Sequence, residues 1–209
     1  MIDHSVYLVT DNPSRYTCNW LDNVRAAVEG GVACVQYRDT ESTAKVQYER
    51  ILTLRDAIGK TPIIVNNDAE LARAVRADGV HVGQGDMPPD EVRAIVGPKC
   101  EIGLSITAVW QVEYINLAVV DCIGIGPVFD ARKTKADASE AIGLAGLREI
   151  VRGVPDLPNC AIGGITLSNA ADVIAANAKG LAVVSAFSKS ENPYEVAKAF
   201  RLLFDNRRK

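Results

Sequence analysis

Short runs of apolar residues recur along the chain, and the stretches between most of them carry apolar residues at helical spacing. The runs are rich in Val, Ile and Cys, which is typical of strands buried on both faces of a parallel sheet. We therefore predict eight such strands, over Val6–Thr10, Val32–Tyr37, Pro62–Val65, Gly79–Val82, Glu101–Ser105, Cys122–Ile125, Asn159–Gly163 and Leu181–Ser185.

Two of the intervening stretches show the helical pattern most clearly. The last one starts with Asn192-Pro193-Tyr194-Glu195, which places a capping Asn before Pro at the first helical position and Glu at the third. Its apolar face is formed by Val196, Ala199, Phe200 and Leu203. The stretch before the eighth strand predicts one apolar helix face from Leu167, Ala170, Ala171, Ile174 and Ala178.

The alternation of strands and helices predicts a (β/α)8 TIM barrel, a single domain over residues 1–209. A doubly wound open sheet is the alternative that the alternation leaves open. Hydrophobic residues make up 48% of the chain, which supplies a substantial core and excludes intrinsic disorder. No Pro/Ser-rich linker or low-complexity tract divides the sequence.

Charge and cysteine usage indicate which partners and which cellular compartment the protein is expected to have. The 23 basic and 26 acidic side chains give a formal charge of −3, so no bulk field favours nucleic acid. The start MIDHSVYLVT carries acids where a signal peptide needs bases, and no apolar run approaches the ~18 residues of a membrane helix. The five cysteines form no C-x-x-C pair, which favours a reducing compartment. We expect a cytoplasmic protein without membrane or nucleic-acid partners, and the sequence leaves room for a homo-oligomer.

Polar residues follow most of the predicted strands at their carboxyl ends. In a barrel these ends meet at one rim, where the active site is built. The strand ends supply Gln36, Arg38, Asn66, Asn67, His81, Gln84, Asp86 and Ser105. Asp68 directly precedes a helical stretch and is more typical of a helix cap, and His81 is more typical of a hydrogen-bonded histidine inside the barrel.

Two anion sites are indicated at this rim. Gly163-Gly164 lets backbone amides approach an oxyanion after the seventh strand, and Val184 and Ser185 add amides after the eighth, which is the usual phosphate site of such barrels. Basic side chains offer the second site, namely Arg38, Lys135 and Arg132. Two anion sites imply two phosphorylated ligands or one bisphosphate, and Asp86 with Asn67 could hold a Mg²⁺ between protein and phosphate oxygens.

Several segments closely resemble the thiamine phosphate synthase family, in the family's order and across nearly the whole chain. They are VTD (9–11), VQYRD (35–39), VNND (65–68), ADGVHVGQGDMP (77–88), IGLS (102–105), GIGPVF (124–129), TKAD (134–137), AIGGIT (161–166) and AVVSAF (182–187). The fourth segment and the pair GPVF and TKAD are the most specific, whereas AIGGI also occurs in other phosphate-binding barrels.

The resemblance implies a Mg²⁺-dependent transferase that joins hydroxymethylpyrimidine diphosphate to hydroxyethylthiazole phosphate, giving thiamine phosphate and pyrophosphate. It places the pyrimidine and its diphosphate on Gln36, Arg38, Asn66, Ser105 and Lys135, with Arg38, Ser105 and Lys135 as catalytic residues. It assigns the metal to Asp86 and the neighbouring Asn67, and the thiazole phosphate to Thr134, Gly164, Val184 and Ser185. The implied mechanism is dissociative, so that stabilisation of the departing diphosphate supplies much of the catalysis.

The chain departs from the family at three positions of the site. Thr40 stands where the family usually has Lys, Asn67 where it usually has the first metal-binding Asp, and Thr107 where it usually has His. We hypothesise that Arg132 or Lys133 replaces the charge lost at Thr40, and that Asp68 joins Asn67 at the metal. The departures leave two alternatives open: a thiazole tautomerase of the same family, and a barrel that binds a phosphorylated ligand without catalysis.

Overall fold

The computed structural model describes residues 1–132 and 139–206. Its parallel strands pair in chain order, and the last strand pairs with the first, so the sheet closes into a barrel. The (β/α)8 prediction is confirmed, and the open sheet is excluded. No predicted strand end is off by more than two residues. The strands are β1 (Val6–Val9), β2 (Cys34–Tyr37), β3 (Ile63–Asn66), β4 (Gly79–Val82), β5 (Glu101–Ile106), β6 (Cys122–Ile125), β7 (Asn159–Ile162) and β8 (Leu181–Val183).

Helices follow the strands and cover the outside of the barrel. They are α1 (Trp20–Glu29), α2 (Ala44–Ile58), α3 (Ala69–Ala74), α4 (Pro89–Val96), α5 (Gly143–Gly153), α6 (Ala170–Ala175), α7 (Ser185–Ser188) and α8 (Pro193–Asp205). After β5 a 3₁₀ helix, Val109–Tyr114, takes the place of an α-helix, and a shorter one, Pro13–Arg15, follows β1. In the described part of the chain, no helix is both long and apolar enough to cross a membrane.

The predicted helix face before β8 was wrong in extent and orientation. Helix α6 has only six residues, and Leu167 lies before it with 44% of its surface exposed. Ala171 is exposed as well, and the buried residues of the helix are Ala170, Val173 and Ile174. A turn in which Asn169 Oδ1 accepts the Thr166 amide precedes the helix, and Asn177 with a φ of 72° follows it. The left-handed backbone at Asn177 ends the helix early, which periodicity alone does not reveal.

Alternate strand residues form two separate apolar clusters. The outward set, such as Val35, Ile102 and Ile123, packs under the helices. The inward set fills the barrel itself with Tyr7, Val9, Cys34, Ile64, Cys160 and Ala182. Strand side chains alternate with a period of two. The inward side chains near the carboxyl ends of the strands therefore form the bottom of any pocket at that end.

Helix α8 confirms the capping prediction at its start. Asn192 Oδ1 accepts the Glu195 amide at 3.3 Å, and Pro193 stands at the first helical position. Phe200 is completely buried beneath the helix, with its ring centroid 6.0 Å from that of Phe187 in α7. The aromatic contact therefore joins the two helices that follow the closing strand.

Asp39 holds the loop that leaves β2. Its side chain is inaccessible to solvent and accepts hydrogen bonds from the Glu41 and Ser42 amides, the Tyr37 hydroxyl and, at 2.6 Å, the Arg50 guanidinium. Burial by itself would raise the pKa of the Asp39 carboxyl, but these hydrogen bonds outweigh it and hold the pKa below its usual value. The ionised carboxylate is therefore part of the folded structure next to Arg38.

Replacing Phe200 by Ala is expected to lower the free energy of unfolding by about 3–5 kcal/mol, because a large buried ring is lost and a cavity remains. Leu202→Ala on the same helix is the matched control, since half of Leu202 is exposed. It is expected to cost roughly 0.5 kcal/mol or less. Urea unfolding followed by circular dichroism measures both. Equal losses in the two variants would contradict the assigned packing of α8.

Asp39→Asn is expected to lower stability by about 3–5 kcal/mol at neutral pH, because Arg50 loses its buried partner. A carboxyl with a depressed folded pKa contributes stability above its unfolded pKa of about 3.9, and this contribution is lost as pH falls through the lower folded value. The gap between wild type and variant should therefore narrow below about pH 5. Urea titrations between neutral and acid pH test this, with the exposed Asp22→Asn as control. A gap that stays constant would refute the role of the Asp39 charge.

Candidate active site

A pocket of about 560 Å³ opens at the carboxyl ends of the strands. It brings together nine of the eleven predicted site residues: Gln36, Arg38, Asn66, Asn67, Asp86, Ser105, Gly164, Val184 and Ser185. Thr134 and Lys135 fall within 133–138, outside the described residues, but Ala131 and Ser139 on either side line the pocket. The structure thus gathers the predicted residues, and their individual roles stay predictions.

Asn67 and Asp86 form a pair of oxygen-bearing side chains at the rim. Asn67 Nδ2 donates to Asp86 Oδ1 at 3.2 Å, and the other carboxylate oxygen accepts the Gly83 amide at 2.6 Å. Asn67 has a φ of 63°, in the left-handed region that Asn tolerates better than most residues. The Asp86 carboxylate is held in place by these two bonds. Carboxylate and amide oxygens are hard ligands and fit Mg²⁺.

Asp68 has a structural role, as its position before a helix indicated. Its Oδ1 accepts the Leu71 amide at 2.8 Å and caps the start of α3. The carboxylate is therefore engaged by the helix, which argues against the hypothesis that Asp68 joins Asn67 at a metal.

His81 supports Ser105 from inside the barrel. Its Nε2 lies 2.9 Å from Ser105 Oγ, as expected of a hydrogen-bonded histidine in the barrel interior. Burial lowers the pKa of the imidazole to about 4, with His4 adding to the shift and Asp86 opposing it, so the ring is neutral at pH 7. Its slot exists because two neighbours lack side chains. A Cβ on Gly103 would lie 2.4 Å from His81 Nδ1, and one on Gly124 would lie 2.9 Å from Cε1.

Tyr7 and Gln84 also contact predicted site residues. Gln84 was among the residues expected at the strand ends, whereas Tyr7 was not predicted. Gln36 Nε2 donates to the Tyr7 hydroxyl at 2.8 Å, and Gln84 Nε2 donates to the Ser105 carbonyl at 2.6 Å. The position of Tyr7 in β1 could have indicated this role, because Tyr7 and Val9 are alternate residues of the strand and both point into the barrel. The buried Tyr7 contact holds the Gln36 amide inside the barrel, and the exposed Gln84 contact lies closer to solvent.

Arg38 provides an available positive charge. Its backbone is clamped by Thr10, whose hydroxyl donates to the Arg38 carbonyl at 2.9 Å and accepts the Arg38 amide at 2.8 Å. Within residues 1–132 and 139–206, the guanidinium forms no hydrogen bond or ion pair with protein groups. A half-buried guanidinium facing a pocket without a protein partner is suited to an anionic ligand.

The turn after β7 requires glycine at both positions. Gly163 and Gly164 have φ values of 99° and 64°, and added Cβ atoms would lie 2.5 Å from Pro127 Cβ and 2.7 Å from Phe129 Cβ. The Phe129 amide donates to the Gly163 carbonyl, and Asn169 Nδ2 donates to that of Gly164. Among the described residues the Gly164 amide has no protein acceptor. Both glycine carbonyls thus accept hydrogen bonds from the protein, and the Gly164 amide is available to donate to a ligand oxygen.

The positions that depart from the family are built into local hydrogen bonds. The Thr40 amide donates to Asn12 Oδ1 at 2.8 Å, and the Thr107 amide donates to Gln111 Oε1 at 2.7 Å. Arg132 is exposed and directs its guanidinium to Asp130 through bonds of 2.9 and 2.8 Å. That ion pair argues against Arg132 as a replacement for the missing charge, and Lys133 lies outside the described residues.

Comparisons with known proteins agree with this architecture and site. The family model described as thiamine monophosphate synthase matches residues 6–187. A thiamine-phosphate synthase from a Psychrobacter species is 38% identical over 197 residues, covering 92% of each chain. One from Roseiflexus castenholzii is 40% identical over 197 residues, covering 93% of this chain and 85% of its own.

Solved structures give the same relationship. Thiamine phosphate pyrophosphorylase from Pyrococcus furiosus superposes with a TM-score of 0.86 at 30% identity, covering 98% of this chain and 96% of its own. The protein of the same name from Bacteroides thetaiotaomicron has a TM-score of 0.66 at 19% identity over 96% of this chain and 98% of its own, and supports the fold alone. Fold, site and sequence agree, and the chain belongs to the thiamine monophosphate synthase family.

Proposed function

We propose that this chain joins hydroxymethylpyrimidine diphosphate to hydroxyethylthiazole phosphate and releases thiamine phosphate and pyrophosphate. One observation carries the proposal: the same pocket holds two features suited to anions, the Gly163-Gly164 turn and the guanidinium of Arg38, which has no protein partner among the described residues. Two polar side chains of the same pocket, Gln36 and Ser105, are suited to a heterocycle. The names of the relatives support the same reaction.

The binding side chains divide into two groups. Arg38 and Lys135 would hold the diphosphate, while Gln36, Asn66 and Ser105 orient the pyrimidine. Thr134, Gly164, Val184 and Ser185 would hold the thiazole phosphate. In this arrangement the neutral His81 keeps the Ser105 hydroxyl in one orientation, and Tyr7 does the same for the Gln36 amide.

The reaction breaks the bond between the pyrimidine methylene carbon and a diphosphate oxygen, and the electron pair leaves with the diphosphate. The lone pair of the thiazole nitrogen then forms the new bond to that carbon, so no general base is required. Arg38 and Lys135 lower the barrier by neutralising charge that grows on the departing group. With Arg38, Ser105 and Lys135 as catalytic residues, the chain would work by positioning and electrostatics.

Asn67 and Asp86 would hold Mg²⁺ against the diphosphate. The Asp86 carboxylate is oriented by two hydrogen bonds, and few protein oxygens suffice because Mg²⁺ takes further oxygens from phosphate and water. When bound, the ion would supply Lewis-acid stabilisation of the leaving group.

We propose a cytoplasmic location and small phosphorylated molecules, rather than nucleic acid, as ligands. All five cysteines are free thiols, four of them buried, which is compatible with a reducing compartment. The formal charge of −3 supports recognition of anions by a local site only.

The proposal is tested by mixing purified protein with both phosphorylated substrates and Mg²⁺ and following thiamine phosphate as fluorescent thiochrome. Wild type is expected to form product. Arg38→Met should lower kcat/KM by about 10²–10³-fold, because a charged donor to the departing group is lost. Arg25→Met, at an exposed ion pair on α1, is the matched control and should retain activity within about twofold.

Absence of product from folded wild-type protein would overturn the transferase proposal. Thermal shift with the thiazole phosphate alone then separates the alternatives. A rise in melting temperature with conversion of the thiazole tautomer would indicate the isomerase, and a rise without conversion would indicate a binding barrel.

Asn67→Asp is expected to reduce the Mg²⁺ concentration for half-maximal activity roughly 5- to 10-fold, because it places a second charge beside Asp86. Without metal, the same change should lower the melting temperature through repulsion of the two carboxylates. Asp68→Asn is the matched control, since it removes a neighbouring charge but Asn also caps helices well. An unchanged Mg²⁺ requirement in Asn67→Asp, or an altered one in Asp68→Asn, would contradict the assigned ligands.

A further inference from the structure

A cluster of three potential metal ligands lies at the floor of the barrel, the end formed by the amino ends of the strands. His4 precedes β1, Glu101 is the first residue of β5, and Cys122 is the first residue of β6. None of the three lines the pocket described above, which lies at the opposite end of the strands. The cluster, called here the floor cluster, is therefore a separate feature that the proposed reaction does not use.

The ligand atoms of the floor cluster converge. His4 Nε2 lies 2.5 Å from Glu101 Oε1, and one ligand atom from each residue lies within 4.8 Å of the others. Ligands of a tetrahedral zinc ion, at 2.0–2.3 Å from the metal, lie roughly 3–4 Å apart, so small side-chain adjustments suffice.

The surroundings keep these side chains in place and away from bulk water. His4 is 7% and Cys122 4% exposed, and the Glu101 side chain is 10% exposed. The Ile2 amide donates to Glu101 Oε2 at 3.0 Å, and Cys34 Sγ lies 3.7 Å from His4 Nδ1. A contact at Nδ1 orients the imidazole so that Nε2 faces the cluster, which is how outer contacts position histidine ligands in metal sites.

We propose that the floor cluster binds one Zn²⁺ through His4 Nε2, a Glu101 carboxylate oxygen and Cys122 Sγ. One nitrogen, one oxygen and one sulfur ligand match the borderline-soft character of zinc, whereas Mg²⁺ and Ca²⁺ select oxygen ligands alone. On binding, the Cys122 thiol releases its proton to solvent. The proton of the hydrogen bond between His4 Nε2 and Glu101 also leaves, so that His4 binds as a neutral imidazole with its proton on Nδ1, and bonds to the metal replace that hydrogen bond. Water completes the fourth position.

Binding would tie the chain start to the middle of the sequence. The ligands stand 97 and 118 residues apart from His4 along the chain, so the site exists only in the closed barrel. A metal that binds the folded state alone stabilises it by mass action. The expected effect of Zn²⁺ is therefore a higher melting temperature of the whole barrel.

The test uses Co²⁺ as a spectroscopic probe in the full chain carrying Cys18→Ser, which removes the exposed thiol. The proposal expects one Co²⁺ per chain with a thiolate-to-cobalt charge-transfer band, displaced by an equimolar amount of Zn²⁺. Cys122→Ala should abolish the band, and His4→Gln should weaken binding at least about tenfold. Cys160→Ala is the matched control, because it removes another buried thiol of the barrel interior outside the floor cluster, and should keep the band.

Circular dichroism and thermal melts establish that each variant is folded. If Cys122→Ala does not fold, the affinity of His4→Gln for Co²⁺ tests the site. This variant is expected to fold, because the Gln amide can still donate a hydrogen bond to Glu101. Absence of a charge-transfer band in the folded parent, persistence of the band in Cys122→Ala, or unchanged affinity in His4→Gln would each overturn the site. Loss of the band in Cys160→Ala with retention in Cys122→Ala would place the bound metal elsewhere in the barrel.

Discussion

Closure of the sheet through the pairing of β8 with β1 is the constraint on which the rest of the structure depends. Once the sheet is closed, each strand has one row of side chains inside the barrel and one row beneath the helices. The interior is narrow, so large inward residues require small neighbours. His81 occupies space left by Gly103 and Gly124, and Tyr7 packs among the thiols of the barrel interior. The inward polar groups of the site, such as His81, are thereby held by packing.

In the pocket, the buried side chain is neutral and the charged side chains lie closer to solvent, because burying a charge costs free energy. The imidazole of His81, deep in the pocket, is neutral because burial lowers its pKa, and it hydrogen-bonds Ser105 without adding a charge. Arg38 and Asp86 lie at the rim, where a ligand and water can solvate them. Such an arrangement suits a ligand that has a charged half and an uncharged ring, as the proposed pyrimidine diphosphate does.

Thr40, Asn67 and Thr107, where the family resemblance led us to expect other residues, are all built into local hydrogen bonds. The backbone amides of Thr40 and Thr107 donate to the side-chain oxygens of Asn12 and Gln111, so both amides have a partner. Asn67 has a left-handed backbone, and its side-chain amide donates a hydrogen bond to Asp86. An amide at position 67 carries no charge, so it attracts a cation less strongly than a carboxylate would.

The strand positions, the cap of α8 and the set of strand-end residues could be predicted from the sequence, because each rests on local periodicity or on a short motif. Local patterns were less informative where a turn interrupts them, as at α6, whose end depends on the left-handed backbone of Asn177. Family motifs identified Gln36 and Ser105. Their partners Tyr7 and His81 lie on other strands, and no sequence motif indicates that these pairs are in contact.

What the sequence determined by itself was therefore the alternation of elements, the barrel class and the residues that gather at the rim. Only the tertiary structure decided which side chains meet across strands: His81 with Ser105, Tyr7 with Gln36, and His4 with Glu101 and Cys122. The physical reason is that sequence patterns report local structure, while these contacts join residues far apart in the chain. Periodicity reports which face of an element is buried, whereas a contact between distant residues depends on register, barrel closure and the space that neighbouring glycines leave.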